Sequence, residues 1–173
     1  MVTQHEATST DRARAAAETV VDPELPMLTL ADLGVLRDVA VTGDGTVLVS
    51  VTPTYSGCPA LREMRQDLDR RLREAGFDDV EVRTVLQPPW TTDWISERGR
   101  RKLAENGIAP PGQAPPDAGG PVPLMLSAPK RRADCPHCGA RETEEISEFS
   151  ATACRALRKC LVCREPFEHV KEI

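Results

Sequence analysis

Two Cys-x2-Cys pairs stand near the end of this chain. They are Cys135-Pro136-His137-Cys138 and Cys160-Leu161-Val162-Cys163, with 21 residues between them. Each pair makes a tight turn in which two thiolates can converge on one ion, and Gly139 supplies the conformational freedom such a turn uses. Four thiolates close a tetrahedron and leave no open coordination position. The chemistry of that set is structural, with Zn2+ as the expected metal. An all-sulfur site also suits iron, and spacing does not separate the two. Cys154 is a fifth thiol in the same region. It is either a small buried apolar residue or an accessory thiol that meets a second metal or a partner. His5, His137 and His169 fit no ligand spacing and are read as surface residues or as neighbours of the metal site.

The other cysteine lies far away, in Thr52-Pro53-Thr54-Tyr55-Ser56-Gly57-Cys58-Pro59. An apolar strand pattern ends here and an amphipathic helix pattern begins. Pro59 suits the first helical position, which puts Cys58 at or beside the N-cap. Free backbone donors and the helix dipole favour an anion there, so the Cys58 thiolate is expected to be stabilised. One thiolate cannot hold a cluster alone. A cluster here would need other ligands or a partner chain, which makes a homodimer or a partner-shared site attractive. No histidine accompanies Cys58 outside the N-terminal His5, which counts against nucleophilic catalysis. There is no phosphate loop and no dinucleotide fingerprint.

Of 173 residues, 28% are charged and the net charge is −5. Residues 129–173 hold 9 basic and 8 acidic side chains, far from the basic footprint of a nucleic-acid binder. No apolar run is long enough for a membrane span. The polar start, Met1-Val2-Thr3-Gln4-His5-Glu6, lacks the pattern of a secretion signal. The expected address is the cytoplasm, where thiols stay reduced.

The elements that must position these thiols are legible from periodicity. Residues 1–11 read as a flexible tail. Ala13, Ala16, Ala17 and Val20 mark a helix over 10–21, stopped by Asp22-Pro23. Strands are expected at 35–42 and 46–52, joined by the turn Gly43-Asp44-Gly45. Leu61, Met64, Leu68, Leu72 and Ala75 share one face of a helix over 59–75, which Gly76 ends. A third strand over 79–86 and a helix over 95–106 follow. The fold class is α+β: a small mixed sheet covered by helices over residues 12–108, followed by a separate C-terminal module. Residues 109–133 form a Pro- and Gly-rich linker; Leu124-Met125-Leu126 within it could dock. Residues 134–173 are too few for a hydrophobic core and need their metal; their cysteine spacing resembles a zinc ribbon.

Taken together, four motifs carry a resemblance. Asp22-Pro23-Glu24-Leu25-Pro26, Asp32-Leu33-Gly34-Val35, Thr54-Tyr55-Ser56-Gly57-Cys58-Pro59 and Trp90-Thr91-Thr92-Asp93-Trp94-Ile95-Ser96 resemble the SufT-like iron–sulfur assembly domain. The ribbon, with Ile146-Ser147-Glu148-Phe149-Ser150-Ala151-Thr152-Ala153-Cys154-Arg155-Ala156-Leu157 and Cys163-Arg164-Glu165-Pro166-Phe167, is similar to the PaaD family of phenylacetate degradation. The resemblance implies a non-catalytic maturation factor that supplies iron or an iron–sulfur cluster to phenylacetyl-CoA epoxidase, through its di-iron oxygenase or its reductase. The alternative is a stoichiometric structural subunit of that enzyme. Carried over by position, Cys58 is the transfer cysteine. Asp22, Glu24, Thr54, Thr91 and Thr92 shape its pocket; the other reading of Asp22 and Glu24 is a helix-ending turn with solvent-facing carboxylates. Trp90 and Trp94 are core or interface anchors.

Overall fold

A computed structural model describes residues 4–55, 57–114 and 133–173, with side chains from Thr8 onward. The chain divides into two compact units. The first comprises Met1–Trp90 and Trp94–Lys102; the second comprises Thr91–Asp93 and Leu103–Ile173. The mixed α+β class expected from the sequence is the observed one.

The first unit is built on a three-stranded sheet of order β1-β2-β3, with β1 Leu36–Val41, β2 Val47–Val51 and β3 Val80–Thr84. β1 and β2 form an antiparallel hairpin, and β2 and β3 run parallel. The parallel step needs a crossover, which α2 (Leu61–Glu74) supplies. Its apolar stripe works as the periodicity predicts: Met64, Leu68 and Leu72 are buried. Gly76, at φ +90°, takes the left-handed position just past the helix. Val39, Val47, Val49 and Val51 fill the sheet side of the core.

α1 runs Gln4–Ala17, so it begins inside the stretch read as tail and stops short of Asp22-Pro23. The β-branched run Thr19-Val20-Val21 explains the early stop. The Thr19 hydroxyl donates to the Ala16 carbonyl, and Val21 leaves the helix to bridge Thr29. The following loop is not a surface turn. Leu25, Leu28, Leu30 and Leu33 are all buried. The Asp22 carboxylate organises its start by accepting the Glu24 and Leu25 N–H groups, both at 2.8 Å. Gly34 sits at φ +70°, and a Cβ there would lie 2.6 Å from the Trp94 Cβ. Only glycine lets the chain pass that close. Trp90 is the expected core anchor, its Nε1 donating to the Leu33 carbonyl at 2.9 Å. Trp94 is half-buried, with the Arg37 guanidinium 3.5 Å above its ring.

α3 (Glu97–Glu105) precedes the sheet of the second unit, whose order is β4-β7-β6-β5. Its strands are β4 Ile108–Ala109, β5 Thr143–Ser147, β6 Arg155–Cys160 and β7 Pro166–Val170. β5, β6 and β7 form an antiparallel ribbon, while β4 pairs parallel to β7 through Ala109 and His169. Two apolar residues directly after a helix give no period, so β4 leaves no sequence signal of its own. Leu124-Met125-Leu126 and most of the linker lie outside the described residues.

Candidate metal centre and Cys58 groove

The ribbon sheet sets the four thiols together. β6 carries Cys160 at its end, and the turn to β7 carries Cys163. The turn ahead of β5 carries Cys135 and Cys138, with the Gly139 N–H donating back to the Cys135 carbonyl at 2.8 Å. All four Sγ atoms lie within 4.8 Å of one another. The Cys135–Cys163 and Cys138–Cys160 sulfurs are 3.7 and 3.6 Å apart. A tetrahedron with Zn–S bonds of about 2.3 Å has edges of about 3.8 Å, so the donor set fits structural Zn2+. Burial would raise Cys160, but the backbone N–H groups of Cys163 and Val162 and the thiols of Cys163 and Cys138 bring it to about 6. At Cys163 the Glu165 N–H lowers the value; burial and the three neighbouring thiols outweigh it and push it up to about 12. Four thiolates at this spacing need a dication between them.

Around the site the apolar cluster is small: Ala109, Ala133, Cys135, Cys160 and Phe167, with Ala140 and Cys163 against it. Cys154 is half-buried, its sulfur 3.1 Å from the Thr152 hydroxyl. Among the described residues it belongs to no metal-ligand group. His169, expected at the surface or near the metal, is buried, with Nε2 3.2 Å from Glu172 Oε1. Burial opposes ionisation of Glu172, yet His169 and the Gly112 N–H hold its carboxyl at about 2. A histidine inside an otherwise ordinary strand carries no signal of that burial.

Cys58 lies in the first unit, in the passage from β2 to α2. Its N–H donates to the Tyr55 carbonyl at 3.2 Å, and its carbonyl accepts the Leu61 N–H at 3.3 Å. The helix N-cap is Ala60, so Cys58 sits two residues ahead of the cap rather than at or beside it. The expectation of a stabilised thiolate is also overturned. Burial pushes the Cys58 thiol up; the Ala60 and Leu61 N–H groups pull it down, but the carboxylates of Glu24 and Asp22 add to the rise. Asp22 and Glu24 are thus electrostatic neighbours of Cys58, and their charges disfavour its anion. Replacing Glu24 with Gln should lower the thiol pKa and speed iodoacetamide alkylation at pH 7 by about two- to threefold. An unchanged rate would mean that burial alone sets the reactivity.

A groove of about 620 Å³ opens beside Cys58, lined by Pro59, Leu61, Arg62, Arg65, Gln66 and Asp69 of the α2 side and by Val80 and Val82 of β3. Asp22, Glu24 and Thr54 are not among its lining residues. Thr91 and Thr92 belong to the second unit, where both hydroxyls donate to the Ile173 carbonyl, at 2.9 and 3.3 Å. Sequence reading missed the groove because its cationic wall is simply the polar face of an amphipathic helix.

Two family descriptions match the chain: an iron–sulfur cluster assembly protein over residues 10–84 and a PaaD zinc β-ribbon domain over residues 120–171. Over 152 residues it is 43% identical to an Escherichia coli K12 protein named as a subunit of a "Putative 1,2-phenylacetyl-CoA epoxidase", covering 88% of this chain and 86% of that one. The chain belongs to the PaaD family. The assembly domain of this PaaD-family chain also has wider relatives. The Bacillus subtilis protein named "Fe-S protein maturation auxiliary factor YitW" is 35% identical over 51% of this chain and 86% of its own length. The Staphylococcus aureus "Fe-S protein maturation auxiliary factor SufT" is 36% identical over 49% of this chain and 96% of its own. The crystal structure of a domain of unknown function, DUF59, from Bacillus anthracis superposes with a TM-score of 0.53 at 26% identity, over 57% of this chain and 94% of that one. No helix among the described residues is long and apolar enough to cross a membrane.

Proposed function

We propose that this PaaD-family chain is an accessory factor that carries an iron–sulfur cluster, or iron, on Cys58 and hands it to a subunit of phenylacetyl-CoA epoxidase. The observation that carries the reading is a half-buried free thiol lining a groove, in a domain whose relatives are named as Fe-S protein maturation factors. The raised thiol pKa suits temporary custody. At neutral pH a proton competes with the metal for this sulfur, so its hold is weaker than that of an ordinary thiolate ligand. Transfer is ligand exchange without electron transfer. Each Fe–S bond to Cys58 that breaks is replaced by one to a recipient cysteine, and the recipient's thiol proton passes to the Cys58 sulfur. Asp22 and Glu24 favour that protonated end state. With one thiolate per chain, the cargo is shared between two copies or with the recipient, and the ribbon cysteines keep their structural zinc throughout.

Iron and acid-labile sulfide are measured per chain after anaerobic reconstitution of wild type and Cys58→Ser. Iron and sulfide in wild type alone, with equal zinc in both, is the expected result. Zinc alone in both would favour the second reading, a structural component of the epoxidase. That reading draws on the name of the Escherichia coli relative and requires fixed-ratio co-purification with active oxygenase.

A further inference from the structure

The open edge of the first sheet borders the Cys58 groove. Among the described residues β3 is an edge strand, paired only with β2. The Val47 N–H donates to the Asp79 carbonyl, and the Val85 N–H donates to the Val51 carbonyl, both at 2.8 Å. Alternate residues of a parallel strand bond the same neighbour. Residues 79, 81, 83 and 85 therefore face β2, and Val80, Val82 and Thr84 turn their N–H and carbonyl groups to the open side. The structure bears this out at one point: Arg65 Nη2 reaches across from α2 and donates to the Val82 carbonyl at 3.0 Å. Val80 and Val82 are half-buried and line the groove, so the open edge and the groove floor are the same two residues.

The charge of this border is positive. Arg62 and Arg65 stand one helical turn apart on the groove wall, and the one acid there, Asp69, is paired with Arg73 at 2.9 Å. Two copies joined edge to edge through β3 would bring these arginines together, which argues against a second copy as the occupant. We infer that the groove between α2 and β3 receives an extended acidic segment of a partner polypeptide, which pairs with the open edge of β3 and lays its carboxylates against Arg62 and Arg65. Backbone pairing supplies affinity, and the arginines select for acid. Resting on the function proposed above, this places the recipient's chain alongside Cys58, the position ligand exchange requires.

The test uses the full chain and two defined peptides, acetyl-Glu-Val-Glu-Val-Glu-amide and its Lys counterpart, at millimolar concentration. Amide exchange at Val80, Val82 and Thr84 should slow by about threefold or more with the acidic peptide and not with the basic one. Val82→Pro removes an outward N–H without touching the β2 ladder and should abolish the effect. Arg62→Ala with Arg65→Ala should weaken it, while Cys58→Ser should leave it intact. No slowing, or equal slowing by both peptides, would overturn the inference. Protection of these amides that rises with protein concentration alone would assign the edge to a second copy and also overturn it. The proposed function fails separately: slowed exchange together with no iron and sulfide on wild type would leave the groove standing and remove the cargo.

Discussion

Stripping the metal from the ribbon should unfold β5, β6 and β7 together. Structural zinc contributes on the order of 10 kcal/mol or more to small domains of this kind. The cluster around the four thiols contains one large apolar side chain, Phe167; its other members are alanines and the cysteines themselves. Even with Val170 and Ala156, the other buried apolar side chains of these strands, burial contributes only about 5 kcal/mol, too little to order three strands. Cys160 is the decisive ligand. It is fully buried, ends β6 and accepts the Cys163 N–H at its sulfur. Cys160→Ser, or chelation of wild type, should remove about one zinc per chain and collapse amide protection across 155–170 by tenfold or more. Cys154→Ser should leave both unchanged, because Cys154 lies outside the four-sulfur group. Retained protection in Cys160→Ser would show that the sheet folds without its metal.

Legibility differed between the two kinds of site for a physical reason. A closed metal site is built from local turns, so ligand identity, spacing and geometry all lie in the sequence; Cys135, Cys138, Cys160 and Cys163 meet as their spacing requires. The α2 stripe and the β1–β2 hairpin were equally local. The environment of Cys58 was not. A helix-start argument predicts a stabilised anion, and the Ala60 and Leu61 N–H groups do pull the thiol down, but burial and two carboxylates from another segment outweigh them. The same applies to His169 and β4, whose surroundings come from strand pairings between distant residues. Asp32 is the largest omission. Its motif was visible as a family likeness, and nothing nearby in sequence showed that the carboxylate would be enclosed.

Replacing Asp32 should destabilise the first unit in a manner that depends on pH. The side chain is wholly inaccessible. Its Oδ1 accepts Arg98 Nε at 2.6 Å and the Ser96 hydroxyl at 3.2 Å; its Oδ2 accepts Lys102 Nζ at 2.9 Å and the Thr29 N–H at 3.3 Å. The Thr29 hydroxyl in turn accepts the Asp32 N–H at 3.0 Å, a reciprocal cap. The carboxylate thus ties the loop after α1 to the first turns of α3. Burial opposes its charge, but Lys102, Arg98 and the Thr29 N–H outweigh burial and lower its pKa from 3.8 to about 2. A depressed carboxyl stabilises the fold above its unfolded value, and that contribution is lost as pH falls through the folded value. The shift corresponds to about 2 kcal/mol at neutral pH, lost between roughly pH 4 and pH 2. Asp32→Asn should therefore lose about 2 kcal/mol in urea unfolding at pH 7, and Asp32→Ala about 3, because the alanine also strands the Thr29 N–H. Trp90 and Trp94 give the readout, as the protein's two tryptophans flank this region: Trp90 bonds the residue after Asp32, and Trp94 packs on Gly34. The gap between wild type and Asp32→Asn should close as the pH is lowered toward 2. A gap that stays constant with pH would mean that the shape of the side chain, rather than its charge, holds α3 in place.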